Sequence, residues 1–548
     1  MRVCSLPWAR QMTSVRVRTH PNGDVAPVTA LTLPAGLSGN ADSSPGSAEA
    51  KRLFLRLVRP RPEGNPYPLY ARLRELGPVV PVHFTGAAPR YLITTFAECS
   101  SMLRDDAVRP LSEEHFDETY PAWRRQVFAH SLLRSMAFRS GADHRFDRAM
   151  LAKHFSPRST AARREEIAKL IPPLLDRLER GATSGEPVDV ERELAVPYSA
   201  LVIGRLMGIP DVQAMRIGWA IRQSGPTLEL APSPAQRQRA AEAGEQVWHE
   251  MSALAAERRL RPRDDLITDL VSQYGPDHER LISSLVLLFS AGFDSPASLI
   301  GLGLRLFLDN PEQARLLREN PQYADTAIEE ILRCEPPVQV MFRVAIREIT
   351  LAGVTIPPGS VLLGLVASAS RDPALVADPD RFDVTRAPSG GLSFGGGAHY
   401  CLGAHLARLS GSLLFPKLLR RFPLMQPAGA GAYRAPGLAL RGFERLPVTV
   451  LPRGALIRSD VRIGGLDEAA IDDDPTQPEA APRRHDPRRP MNLLTVTEVA
   501  AMLRVSKMTI YRMVHVGRLP ARRVGQSYRI PAEAAAALCG VPVRNQAG

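Results

Sequence analysis

Apolar positions recur with two periods along this chain, and the changes between them divide it into regions. Leu69, Leu73 and Leu76 fall at helical spacing, which predicts a helix over 67–76 stopped by Gly77-Pro78. Alternation over 79–84 and again over 91–96 predicts two strands. Helical periodicity then continues through about Cys334, broken at Gly208-Ile209-Pro210 and at Gly275-Pro276, and mixed strand and turn signals lead on to Pro388. The pattern predicts a mainly α domain with small β-sheets. Its most apolar part is a helical run from Leu281 to Leu308. There Leu285-Val286-Leu287-Leu288-Phe289 is cut by Ser290, Gly292 and Asp294, short of the roughly 20 apolar residues of a membrane span. We therefore expect no membrane anchor.

The pattern fades twice. Residues 1–50 carry Arg2, Arg10, Arg16 and Arg18 before the first acid, Asp24, followed by a Gly/Ser/Ala stretch. An organellar transit peptide shares that composition, but we read a disordered extension. Between Pro452 and Pro490, opposite charge blocks (Asp472-Asp473-Asp474, then Arg483-Arg484 and Arg488-Arg489) replace apolar residues, as in a solvated linker. The expected order is thus an extension over 1–50, a main domain over 51–452, a flexible charged linker over 453–490 and a small domain over 491–548.

Periodicity returns in the small domain. Thr495-Val496-Thr497-Glu498 has the spacing of a capping box, and Val499, Ala500, Met502 and Leu503 supply an apolar face. Ser506 can cap a second helix over 507–516, closed by Gly517, and 522–530 alternates around Gly525 as a hairpin would. Two short helices so joined suggest a helix-turn-helix.

Composition adds limits. Among 548 residues, 44% are hydrophobic and 23% charged, which excludes a wholly disordered or collagen-like chain. The net charge is +12, and over 491–548 eight basic residues against two acids leave +6. Half the excess therefore sits in the small domain, which points to an acidic partner there. Cys4, Cys99, Cys334, Cys401 and Cys539 stand at long, unrelated spacings, which excludes a readable disulfide framework and fits a cytoplasmic chain.

The candidate chemistry centres on Phe394-Gly395-Gly396-Gly397-Ala398-His399-Tyr400-Cys401-Leu402-Gly403. Three glycines let the backbone pass close to a bulky group, and a helix starting near Leu402 would lower the Cys401 thiol pKa. A buried structural cysteine does not need the glycines. A zinc site needs four ligands, and beyond His399 and His405 no Cys/His cluster is at hand. A haem-thiolate needs one cysteine.

The segment resembles the haem-binding loop of the cytochrome P450 family, Phe-x-x-Gly-x-His-x-Cys-x-Gly. The resemblance implies haem b, Cys401 as proximal iron ligand, Phe394, Gly395 and Gly403 beside it, and His399 toward a haem propionate. It also implies propionate contacts from His144, Arg148 and Arg343. Glu330 and Arg333 would join Arg381, of Pro379-Asp380-Arg381-Phe382, in a structural network. In Ala291-Gly292-Phe293-Asp294-Ser295-Pro296, Asp294 and Ser295 take the place of the family's acid-alcohol pair and imply proton relay. Serine for the usual threonine leaves the hydroxyl freer to rotate, and Pro296 should kink the helix. The resemblance spans about 60–452 and implies the soluble bacterial type: a monooxygenase acting on a small organic substrate with dioxygen, its electrons from a separate ferredoxin and ferredoxin reductase.

The small domain resembles excisionase-type and MerR-like winged helix-turn-helix proteins. Ser506, Lys507, Thr509, Tyr511 and Arg512 would face DNA, with Arg522, Arg523, Tyr528 and Arg529 from the wing. The alternative function is a regulator, in which the haem domain senses a ligand and controls that module.

Overall fold

The computed structural model describes residues 45–58, 64–84, 88–119, 121–182, 186–228, 234–434, 439–450, 493–502, 510, 514, 519, 521–524 and 527–531. The chain divides into two compact units, 1–462 and 463–548.

The first unit is built around a 32-residue helix, His278–Asp309, packed against the helices Val196–Met207 and Asp211–Ser224 and, near its end, Ala404–Arg421. Apolar side chains on nearly every face are what a helix needs to be enclosed on all sides. Among the described residues it is long and apolar enough to cross a membrane, contrary to the reading of a run broken too early. However, 72% of its most apolar 18-residue stretch is buried in the fold, as in a core helix. It runs through Pro296 as one continuous helix. Gly208, at φ 80°, ends the Val196–Met207 helix in the left-handed conformation its position requires.

A five-stranded sheet lies in the order Val79–Val82, Arg90–Ile93, Val361–Gly364, Met341–Ala345, Val108–Arg109. Arg90–Ile93 and Val361–Gly364 pair in parallel, and the other pairs are antiparallel. The strand expected over 91–96 stops at Ile93, because Thr95 turns the chain into the helix Phe96–Arg104. A helix over Pro45–Val58 begins inside the stretch read as a disordered extension, and it buries Leu53, Phe54 and Leu57. The expected linker lies outside the described residues.

In the second unit, Leu493–Thr495, Ser527–Pro531 and Arg522–Val524 form an antiparallel sheet in that order. The capping box is formed: the Glu498 N–H donates to Thr495 Oγ1 (3.2 Å) and the Thr495 N–H to Glu498 Oε2 (2.7 Å), starting the helix Val496–Met502. Val496, Val499, Ala500, Ile510, Leu519 and Ile530 make its core.

Candidate active site

The Cys401 loop is shaped by its glycines. Gly395 and Gly397 have φ of 74° and 62°, conformations that disfavour a side chain, and a Cβ on Gly397 would collide with the Leu103 carbonyl. What these glycines approach closely is Met341 and the end of the Phe96–Arg104 helix. The Cys401 N–H donates to the Phe394 carbonyl at 2.8 Å, closing the loop. The following helix begins at Ala404 with Gly403 as its cap.

Cys401, Phe394, His399 and Gly403 border a cavity of about 290 Å³ whose opposite wall is Ala291, Gly292, Ser295 and Leu299 of the long helix. Gly292 is required there by packing, since a Cβ would lie 2.5 Å from Ile203 Cδ1. Cys401 is exposed, but to this cavity. Burial pushes its thiol pKa up, and the Gly403 N–H, Arg148 and Arg408 oppose that shift. The helix-start effect expected to lower it is therefore outweighed, because the apolar walls penalise an anion more than one nearby N–H favours it. A metal cation bound at such a thiol would displace its proton, which passes to water, and hold the thiolate.

His144 and His399 stack at 4.1 Å between ring centroids, and His144 Nε2 is buried without a hydrogen-bond partner. Burial, together with His144, Arg343, Arg148 and Arg109, holds the His399 imidazole down at about 3. Burial also brings Arg343 down to about 10. Among the described residues, Arg109, Arg148 and Arg343 bond only to backbone carbonyls, of Val108, Tyr400 and Phe342. Crowded cations without carboxylates make a receptor for an anionic group. Arg109 was not apparent from the sequence; pairing of Arg109 with Val344 brings it next to Arg343.

Ser295 Oγ donates to the Ala291 carbonyl at 3.0 Å, so its hydroxyl is held rather than free. Asp294 does not border the cavity. Its carboxylate forms an ion pair with Arg434, a residue that no motif had singled out.

The structural network needs one correction. Arg333 binds Glu330 through both oxygens, at 2.7 and 2.8 Å, but the second arginine on Glu330 is Arg386, at 3.1 Å. Arg381 turns out to solvent, 64% exposed, and pairs with Asp383; only its backbone carbonyl joins, accepting from Arg333.

Known proteins resemble this chain. The chain is 31% identical over 391 residues to the biotin biosynthesis cytochrome P450 of Bacillus subtilis, covering 70% of this chain and 96% of that one. It belongs to the cytochrome P450 family. The family model for cytochrome P450 matches residues 246–431, and 6-deoxyerythronolide B hydroxylase of Saccharopolyspora erythraea is 33% identical over 399 residues, 70% of this chain and 95% of that one. A crystal structure of P450BioI with an acyl carrier protein carrying hexadec-9Z-enoic acid superposes with a TM-score of 0.65 at 31% identity, covering 71% of this chain and 99% of that one. The helix-turn-helix domain model matches residues 493–534.

Cytochrome P450 proteins bind haem b, and the residues present fit it. A single thiol faces a largely apolar cavity, the neighbouring cations lack a counter-anion, and His144 has an orphaned nitrogen. Among the described residues no cluster of three or more His, Cys, Asp or Glu competes as a metal site. Like its family, this P450 is an oxidoreductase.

The DNA-facing residues expected on the second helix of the small domain (Ser506, Lys507, Thr509, Tyr511, Arg512) lie outside the described residues. The hairpin expected as a wing is present, with Arg522 opposite Arg529 and Arg523 opposite Tyr528.

Proposed function

We propose that the main domain is a haem-thiolate monooxygenase that inserts one atom of dioxygen into a small apolar organic substrate and reduces the other to water. The observation that carries this reading is the placement of Cys401 across one apolar cavity from Ser295. Bound haem supplies dioxygen activation, with thiolate electron donation favouring O–O cleavage. In this chain Cys401 would hold the haem iron, Phe394, Gly395 and Gly403 would shape the sulfur's surroundings, and His144, Arg148, His399, Arg343 and Arg109 would hold the propionates. Ser295, with Asp294 behind it, would pass protons into the cavity. Met136, Phe155, Leu287 and Val338 keep its walls apolar. That suits a hydrocarbon-like substrate, the chemistry of the acyl chain in the P450BioI complex.

Electrons would come from a ferredoxin and its reductase. A depression of about 850 Å³ reaches the back of the loop at Gly395–Gly397 and is bordered by Arg104, Arg164, His405 and Arg408, with Asp325 and Glu329. This mixed, mainly basic rim offers complementary charge to an acidic carrier. We assign the protein to the cytoplasm, where the free thiols of Cys99, Cys334 and Cys401 persist.

The second unit would bind DNA through the helix expected over 507–516 and the Arg522–Pro531 hairpin. A second reading, a haem-based regulator, is favoured by the helix-turn-helix match alone.

The deciding experiment is the carbon monoxide difference spectrum of the reduced protein. A thiolate-type Soret band that Cys401→Ser abolishes supports the enzyme, and an identical band in the variant rejects it. NADH consumption stimulated by organic substrate, with surrogate redox proteins, favours turnover. DNA affinity that changes with the haem ligand favours regulation.

A further inference from the structure

The helix Gly141–Ala152 presents two neighbouring edges to different parts of the fold. His144 and Arg148, at i and i+4, share the edge toward the Cys401 loop, where His144 stacks on His399 at 4.1 Å and Arg148 donates to the Tyr400 carbonyl at 2.9 Å. Asp143 and Asp147 share the next edge, about 60–100° round the helix. Asp147 is 1% exposed, and three donors reach its carboxylate. Its Oδ1 accepts from Arg280 Nε at 2.6 Å and from the Tyr274 hydroxyl at 3.0 Å, and its Oδ2 accepts from Arg139 Nη1 at 2.9 Å. Arg280 also donates to the Asp143 carbonyl at 3.1 Å and lies over the Phe146 ring, 4.6 Å from its centroid.

Arg280 stands in the first turn of the long helix, and Tyr274 ends the helix Leu266–Tyr274 before it. One carboxylate therefore fastens the helix bearing His144 and Arg148 to the joint between two others. The long helix goes on to supply Ala291, Gly292 and Ser295 to the cavity wall opposite Cys401, so both sides of the cavity are tied through Asp147. A buried carboxylate with three donors is held tightly, because a shift leaves charge without its partners. We propose that Asp147 is a positioning residue that holds His144 and Arg148 at the cavity against the long helix, and thereby sets how firmly the propionates, and with them the haem, are retained. The inference rests on reading His144 and Arg148 as propionate partners. It extends that reading from the residues that touch the group to the one that places them.

Retention is read without turnover, as the rate at which the ferric full-length holoprotein loses haem to excess apomyoglobin. Asp147→Asn, which keeps the shape and removes the charge, should speed that loss at least tenfold. Arg280→Gln and Tyr274→Phe each remove one donor and should speed it at least threefold, and they carry the test if Asp147→Asn fails to load haem. His144→Gln with Arg148→Gln should also speed loss at least tenfold. Adding Asp147→Asn to that pair should change the rate by less than twofold, because the groups it positions are gone. Leu178→Ala, which opens a cavity under the helix Arg164–Ala182, should lower Tm yet keep haem loss within twofold of the parent.

Amide hydrogen exchange gives a second readout, and for variants that load no haem the comparison is with the haem-free parent. Asp147→Asn should speed exchange over 141–152 at least tenfold, and Leu178→Ala should leave that segment unchanged. Unaltered exchange there in Asp147→Asn would overturn the proposal. So would an acceleration of haem loss that persists at full size in the His144→Gln, Arg148→Gln background, or an equal acceleration by Leu178→Ala, which marks a general loss of stability. If the His144→Gln, Arg148→Gln pair loses haem faster while Asp147→Asn and Arg280→Gln match the parent, the positioning role alone fails. If that pair itself retains haem as the parent does, the propionate reading fails and this inference with it.

Discussion

Glu330 is 2% exposed, and its two oxygens accept from Arg333, Arg386 and the Asp383 N–H. Arg386→Ala leaves Arg333 and the Asp383 N–H on Glu330 and removes one charged hydrogen bond, at about 1.5–3 kcal/mol. It should therefore lower the holoprotein recovered, read as haem content per chain and by chemical unfolding. Arg381→Ala, at a solvent-facing pair, should stay within about 0.5 kcal/mol of the parent. The motif register points to Arg381, and nothing in the local sequence favours Arg386, five residues on. The chain between them turns back, so the guanidinium that reaches Glu330 is the later one. Ser295 is a different case, legible from its place in the helix but not in its bonding to the Ala291 carbonyl. Ser295→Ala should raise peroxide released per NADH consumed during substrate turnover; an unchanged ratio would remove the hydroxyl from the proton path.

Among the elements, the short π-helical segment Glu191–Ala195 places a carboxylate in the core against the Asp211–Ser224 helix. Burial pushes Glu191 up from 4.5 to about 7, against the pull of Arg222 and Arg434. The folded state therefore holds its proton more tightly than the unfolded chain does. Its contribution is full below 4.5 and is lost as pH rises through about 7. Tm should accordingly fall across that window, and Glu191→Gln should remove this part of the slope. Above that window the same variant removes the anion facing Arg222, so it should also lower stability there by about 3 kcal/mol, whereas Glu191→Leu combined with Arg222→Met should cost less than the single change. The long helix itself was legible from its apolarity. Which face meets the cavity was not, because apolar residues occur all round it.

For the whole molecule, the two compact units imply separable activities. A chain ending at residue 462 should keep the carbon monoxide spectrum and NADH oxidation of the full protein. The full chain, but not the shortened one, should retard duplex DNA, with affinity falling steeply as salt rises. Loss of haem from the shortened chain would contradict the division. The sequence by itself determined which cysteine is the candidate ligand, the mainly α architecture and the capped start of the small domain. Each depends on local spacing: a glycine-rich loop around one thiol, a 3.6-residue period, and a hydroxyl three residues from a carboxylate. Only the tertiary structure decided which arginine serves Glu330, where Arg109 joins the cationic cluster, and that Asp294 faces Arg434 instead of the cavity. Those choices depend on residues far apart in the chain arriving at the same few ångströms, and a one-dimensional period carries no record of such distances.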